Sequence, residues 1–239
     1  MIIKNKKTNT MKNLLTTCIL LITVLITNAQ NCDGFFPLTE GTTFQHTSYN
    51  KKDKLVSISD HKITSSQSIT NGTQATLELS ITDDKNEQSN KFNYIVECKN
   101  GKFYIDTKYL YSVLTSNYNG MDITFEDGIS TVPNNIKVGD KLEDVMMKIN
   151  VKSSGTNIIT MTISITDRLV KAKESKTTPA GTYDCFVLTQ NSTIKMGSMI
   201  TVKNSSKNWI AKGFGSVRSE NYNKKGNLED YSVLTKFKK

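Results

Sequence analysis

Histidine is nearly missing from this chain, and most routes to general acid–base catalysis go with it: only two of 239 residues are histidine. His46 and His61 fall on the first two expected strands, several residues apart across any hairpin register through Asn50 to Asp53. No Gly-x-Ser-x-Gly elbow accompanies them, and a triad is defined by geometry rather than by the presence of its members. A two-histidine metal site would lack an obvious third ligand. There is no Cys-x-x-Cys pair, which a zinc cluster would normally contain, and no Asp-x-Asp-x-Asp-Gly calcium loop. Arg168 and Arg218 are the only arginines. Nucleic-acid binders gather arginine and aromatics on one face, whereas here lysines are scattered through turns, so no nucleic-acid partner is expected. Only three prolines (Pro37, Pro133 and Pro179) and no Gly/Ser linker argue against a flexible hinge.

Long hydrophobic runs are absent too, except at the front. Lys4, Lys6, Lys7 and Lys12 precede the mostly apolar Leu14 to Ile26, and Thr27-Asn28-Ala29 offers a small residue before Gln30. That apolar run is 13 residues, against ~20 needed to span a bilayer. Residues 1–29 therefore read as a cleaved secretory signal with the cut between Ala29 and Gln30; Met11 onward is already a complete signal. A lipid anchor would require a cysteine directly after small residues, but Gln30 and Asn31 precede Cys32, which argues against lipidation. Losing the signal removes four lysines and no acid, leaving 27 basic against 22 acidic residues, a modest net +5. No other run is long enough to cross a membrane, and residues 30–239 suit a single β-domain.

What is present is alternation with period two. Ala75, Leu77, Leu79 and Ile81 alternate with Thr76, Glu78, Ser80 and Thr82 as one half-buried strand. Val145, Met147, Ile149 and Val151, then Ile159, Met161, Ile163 and Ile165, repeat the pattern around a turn at Ser153-Ser154-Gly155. Asp167 stands where an apolar residue was due, which predicts a bulge. Residues 107–132 are the least regular, and Leu110, Val113 and Leu114 suggest a short helical turn there. The fold class is all-β: one strongly curved or barrel-like antiparallel sheet of about ten to twelve strands, with an irregular or short-helix region near 107–132. Tyr49-Asn50-Lys51-Lys52-Asp53-Lys54-Leu55 recurs as Tyr222-Asn223-Lys224-Lys225-Gly226-Asn227-Leu228. A type I turn followed by a left-handed glycine fits Asn223 to Gly226; similar turn chemistry at two hairpin tips accounts for the likeness, the alternative being that two similar hairpins open and close one β-domain.

Four motifs carry a resemblance: Pro37-Leu38-Thr39-Glu40-Gly41-Thr42-Thr43-Phe44, Val138-Gly139-Asp140-Lys141-Leu142, Thr178-Pro179-Ala180-Gly181-Thr182-Tyr183-Asp184-Cys185, and Trp209-Ile210-Ala211-Lys212-Gly213-Phe214-Gly215-Ser216-Val217. In this order and spacing they resemble the secreted Gram-negative family labelled TapB, related to a broader envelope domain family of unknown function. Asn100 departs from the small or charged residue often found there. The resemblance spans nearly the whole mature chain. It implies an antiparallel β-fold exported to the periplasm or cell surface of a Gram-negative bacterium, and it carries over no catalytic residue.

Cys18 leaves with the signal, and the other three cysteines allow three single bridges in an oxidising compartment. Cys98 and Cys185 each lie inside an apolar strand face, so Cys98–Cys185 is favoured over the two Cys32 options; the alternative keeps all three reduced and buried. Asp122, Glu126 and Asp127, and separately Asp83, Asp84 and Glu87, are clustered acids. Paired acids hydrolyse glycosides when about 5 to 10 Å apart in a cleft, but solvated loop acids account for both clusters better. Trp209 either plugs the core beside Ile210 and Phe214 or stacks on a sugar together with Tyr222 or Tyr231. The leading expectation is a non-catalytic exported domain that needs no cofactor. It would bind a small amphiphile or an envelope protein in the sheet's concavity. The alternative is a glycan-binding or glycan-processing accessory protein using Trp209, Tyr222, Tyr231 and the loop carboxylates.

Overall fold

Residues 32, 34–87, 91–106 and 121–239 are described in the computed structural model, and every regular element among them is a β-strand. The first five, β1 (Thr43–Asn50), β2 (Leu55–Ile69), β3 (Gly72–Asp83), β4 (Phe92–Lys99) and β5 (Lys102–Asp106), form an antiparallel meander. Next come β6 (Asp122–Asp127) and β7 (Ile129–Pro133), separated by Gly128 alone. A second meander follows: β8 (Val145–Ser153), β9 (Thr156–Thr178), β10 (Gly181–Met196), β11 (Ile200–Ala211), β12 (Gly215–Asn223) and β13 (Leu228–Lys238). β1 pairs with β13, β7 with β5 and β6 with β8, giving one 13-stranded sheet in the order β6-β8-β9-β10-β11-β12-β13-β1-β2-β3-β4-β5-β7. Its two edge strands are consecutive in the chain. Gly128, at φ 99°, carries the backbone from one edge to the other, so the sheet is nearly closed into a barrel.

The strand count exceeds the expected ten to twelve because residues 122–133, read as irregular, are β6 and β7. Their polar sequence hides the strand signal. Tertiary pairing supplies it: Ile123 and Phe125 sit opposite Val151 and Ile149, and pack on the cluster of Met147, Ile149 and Ile163. The proposed helical turn at Leu110, Val113 and Leu114, and the cut at Ala29 and Gln30, lie outside the described residues.

Elsewhere the alternation reads directly into the core. Leu77 faces Ile63 on one neighbour and Tyr94 on the other, and this row joins Phe44, Val96, Val187, Trp209 and Leu234 in the main apolar cluster. Each fully buried aliphatic side chain there contributes about 1.5–3 kcal/mol. A second cluster, Phe35, Ile136, Leu142, Val170 and Leu188, includes Ile136 and Leu142 from the segment between β7 and β8.

The bulge expected at Asp167 is present. Asp167 has φ 54°, and the β9–β10 register shifts between Leu169↔Thr189 and Thr166↔Asn191. The next residue, Arg168, is buried and donates to Glu143 O at 2.6 Å, Ser130 Oγ at 3.1 Å and Thr131 O at 3.3 Å. It thereby ties β9 to β7. Burial holds its pKa below the ordinary arginine value despite the nearby charges of Asp144 and Glu143.

The paired hairpin tips share one geometry. Asn50 Oδ1 accepts from Lys52 N (2.8 Å) and Lys54 N (3.2 Å), and Asn223 Oδ1 accepts from Lys225 N (3.0 Å) and Asn227 N (3.2 Å). Asp53 and Gly226 take the left-handed position, at φ 57° and 76°. Asparagine is favoured at such turns because its side chain caps the backbone two residues on. The two tips touch, since Lys51 N donates to Glu229 O at 2.9 Å and Tyr231 OH to Asp53 Oδ1 at 2.8 Å.

One sequence expectation is overturned. The bridge joins Cys32 to Cys98, with Cα atoms 5.7 Å apart, and Cys185 is a buried free thiol. The cause is the segment before β1. Gly213 N bonds Gly34 O at 2.8 Å, and Gly34 lies so close to Phe103 that an added Cβ would come within 1.9 Å of the ring. This packing carries Cys32 to β4. Burial pushes the Cys185 thiol up to about 11, helped by the charges of Asp184 and Glu174, so it is an inert small hydrophobe.

Candidate functional site

A groove of about 490 Å³ crosses β13, β1, β2 and β3. Cross-strand register builds it. Thr43 stands between Lys238 and Lys62, and Gln45 between Lys236 and Asp60. Lys62 in turn faces Glu78, and Asp60 faces Ser80. Phe44, His61 and Phe237 complete the lining. The two acids are engaged by other groups: Glu78 by Lys91 at 2.9 Å and Asp60 by Gln45 Nε2 at 2.9 Å. Among the described residues, Lys62, Lys236 and Lys238 make no ion pair. The groove thus carries four lysines, Lys62, Lys91, Lys236 and Lys238, against Asp60 and Glu78, a positive surplus beside apolar lining that suits an anion with a hydrophobic body. None of these lysines stood out in the sequence, because facing positions on four strands become neighbours only through register.

His61, in the groove's lining, stands against the second histidine, His46. Phe44 stacks on His61 at 4.5 Å between centroids, and the His46 and His61 rings are 5.6 Å apart, edge to face. His46 Nε2 is 2.7 Å from Ser216 O, and His61 Nδ1 is 3.0 Å from Tyr94 OH. Burial lowers both pKa values, and the charge that His46 would carry lowers His61 further, to about 3. They are neutral, hydrogen-bonded core residues, with no carboxylate or nucleophile set beside them among these contacts.

Trp209, Tyr222 and Tyr231 are brought into one neighbourhood by the β11–β12–β13 ladders, where Trp209 pairs with Arg218, and Glu220 with Tyr231. Trp209 is only 2% exposed, however, so it is no open platform for a sugar. Its indole N–H donates to Glu174, while Lys176 and Lys207 each sit 4.3 Å from the ring centroid. Its emission is expected to be blue-shifted and resistant to acrylamide; emission near that of free tryptophan with full quenching would contradict this burial. Tyr231 stacks on Tyr49 at 5.2 Å and lies under the Arg218 guanidinium at 4.5 Å. Tyr222 donates to Glu220, which also accepts from Arg218 Nε at 2.7 Å. Burial would raise the Glu220 pKa, but these two donors outweigh it and hold it below the usual carboxylate range. Burial and the Glu220 charge push Tyr222 up to about 12. These tyrosines are committed to internal partners.

The acid clusters do not join this neighbourhood. Asp122, Glu126 and Asp127 belong to β6, and three strands separate it from β11 in the sheet order. Glu126 is taken up by Asn150 at 2.9 Å and Lys148 at 3.5 Å. Asp83 caps its own turn, accepting from Lys85 N at 2.9 Å and Glu87 N at 2.8 Å. Among the described residues no group of three or more His, Cys, Asp or Glu is arranged to hold a metal ion. A second groove, about 550 Å³ and lined by Asp167, Asn191, Lys203, Asn204 and Asn223 among others, contains no aromatic residue. No helix among the described residues is long and apolar enough to cross a membrane.

Residues 39–234 match a family model described as DUF3108-like. The crystal structure of a candidate lipoprotein from Parabacteroides distasonis ATCC 8503 is similar, with a TM-score of 0.73 and 27% identity over 87% of this chain and 100% of that one. A candidate exported protein with a YmcC-like fold from Bacteroides fragilis NCTC 9343 gives a TM-score of 0.71 at 24% identity, again over 87% and 100%. At that identity the second likeness speaks for the fold. No curated protein matches the sequence.

Proposed function

The chain belongs to the DUF3108-like family, and from that premise we propose that it is an exported envelope protein which binds an anionic amphiphile without converting it. The observation that carries this reading is the groove in which Lys62, Lys236 and Lys238 stand unpaired, among the described residues, beside Phe44, His61 and Phe237. Export is supported by the signal-like residues 1–29 and by the descriptions of the two similar proteins as a lipoprotein and an exported protein. A single β-domain following that signal, residues 30–239, and the finer TapB placement belong to the same reading; the latter rests on the four motifs. Lipid attachment is not carried over, because Cys32 is engaged with Cys98.

The ligand site proposed here lies outside the sheet's concavity, whose inward row includes the buried Val145, Met147 and Ile163. There Met147 and Ile163 are buried in a packed cluster, while Ile159 is exposed. The glycan alternative loses its main support with the burial of Trp209.

Native mass spectrometry of the protein isolated from its own envelope tests the proposal. A native mass above the denatured chain mass by one discrete small molecule is expected. Binding of a fluorescent long-chain fatty acid should weaken roughly 30-fold or more in Lys236→Glu/Lys238→Glu, given about 1 kcal/mol for each of the two surface charge contacts removed. A bare chain mass, with fatty-acid binding absent or indifferent to the double variant, would sink the reading.

A further inference from the structure

The β8–β9 and β10–β11 hairpins extend an apolar surface that the groove does not use. Two cross-strand rows run along one face, Ile149–Met161–Met196–Ile200 and Met147–Ile163–Ile194–Val202. They begin in the packed cluster of Met147, Ile149 and Ile163 and finish in solvent. Ile158, Ile159, Ile200 and Val202 are 41–53% exposed, and Met199, in the β10–β11 turn, is 91% exposed. The β10–β11 turn lies alongside β9, with Gly197 N donating to Thr160 O at 3.0 Å, and the β8–β9 hairpin runs on past it to its own turn at residues 153–156. β12 joins β11 only from Asn204 onward, so the stretch Ile200 to Lys203 projects with no strand on its outer side.

Charge is as one-sided as hydropathy here. Neither Val145 to Thr166 nor Cys185 to Ser219 contains a single Asp or Glu. Lys195 and Lys203 flank the exposed turn and form no ion pair among the described residues. An exposed apolar tip of this kind marks an interaction surface. A second copy of this tip would bring the same lysines and no acid to meet them, so it offers no charge complement. An anionic bilayer meets both features at once: the side chains of Met199 and Ile200 enter the boundary between headgroups and acyl chains, and the lysines meet the phosphates.

We propose that the β10–β11 turn, together with the adjoining end of the β8–β9 hairpin, docks the protein onto an anionic lipid surface. The contact is peripheral and reversible, since two lysines and a few apolar side chains fall far short of a spanning segment. It is separate from the groove across β13, β1, β2 and β3, so either proposal can fail alone.

The test is co-sedimentation of the protein, as processed by its own host, with vesicles of phosphatidylethanolamine and phosphatidylglycerol (3:1) and with vesicles of phosphatidylcholine. Binding to the anionic vesicles is expected at low salt and should fade as salt rises. Met199→Glu/Ile200→Glu should abolish it. Lys195→Glu/Lys203→Glu should weaken it by tenfold or more, at roughly fivefold for each lysine. Both sets of changes fall at an exposed turn and leave the core untouched, and the tryptophan emission of each variant reports whether Trp209 is still buried. Failure of the folded protein to bind anionic vesicles would overturn the proposal. So would equal binding to both vesicle types that survives Met199→Glu/Ile200→Glu, or a concentration-dependent dimer that the same variant dissolves while vesicles are ignored.

Discussion

Opening the Cys32–Cys98 bridge is expected to remove about 4 kcal/mol from the unfolding free energy, by the loop-closure relation for cross-linked chains. The bridge closes a separation of 66 residues, which includes β1, β2, β3 and most of β4. In the reduced protein the unfolded chain regains the freedom of that loop, while the segment before β1 keeps its bonds to the turn before β12. Guanidinium unfolding with and without reductant measures the effect. Cys32→Ala should lose the same amount and become indifferent to reductant. Cys185→Ala should retain the reductant response, because its thiol has no partner to release. If Cys185→Ala instead abolished the response, the pairing would be Cys98–Cys185 and the course of residues 32–42 would need revision.

Acid is expected to have the next largest effect. His61 titrates near 3 in the folded protein, and His46 is also lowered, against 6.5 for the ordinary side chain. Above pH 6.5 both states carry neutral histidine, and no stability depends on it. Below 6.5 the unfolded chain takes up protons that the folded core refuses, so stability falls with pH, at about 1.4 kcal/mol per unit for each histidine. The loss continues until pH approaches the folded value, where the core itself accepts the proton. Glu220, whose folded pKa is lowered, adds its own loss only as pH falls through the ordinary carboxylate value of 4.5 toward its lower folded one. The window from 6.5 to 5 therefore isolates the histidines. His61→Phe keeps a ring against Phe44 but strands the Tyr94 hydroxyl, at a cost of about 1–3 kcal/mol at pH 7. Chemical unfolding at a series of pH values should show that variant less stable at pH 7 and with a shallower slope below 6.5. An unchanged slope would mean that His61 does not carry the acid response.

The contrast between strands and straps explains what could be read from the residues. Ala75 to Thr82 and Ile159 to Thr166 alternate so regularly that their faces were evident, and Asp167 marked its bulge by interrupting the second. The asparagine-led turns at Asn50 and Asn223 were equally plain, since turn chemistry is local. Residues 32–42 have no period at all. Their course depends on Gly34 fitting against Phe103, and nothing local announces that contact, so the sequence favours Cys185 over Cys32 as the partner of Cys98. β6 and β7 were missed because their pairing partners, rather than their own side chains, make them strands. The groove shows the same limit: Lys62 and Lys238 are 176 residues apart and flank Thr43 only after β13 has been laid against β1. Trp209, Tyr222 and Tyr231 lie on the successive strands β11, β12 and β13. Whether the Trp209 ring was covered depended on Lys176, Lys207 and Glu174, from two other stretches of chain.

The sheet order has a kinetic consequence. Among the described strands, every ladder except β1–β13 joins elements that are neighbours, or next but one, along the chain. The molecule is therefore two locally assembled halves that share one core and are tied together by the β1–β13 ladder, the backbone at Gly128, the reach of Arg168 from β9 to β7, and the bonds of the segment before β1 to the turn before β12. Contacts of short sequence separation form quickly, and those that close a long loop form late. Each half can gather its own strands early, yet neither covers its apolar face until β13 finds β1. During that interval the tips at Asn50 and Asn223, already turned, hold the ends of the two searching strands in their final shape. The matching hairpins thus set the register at the slowest joint of the fold.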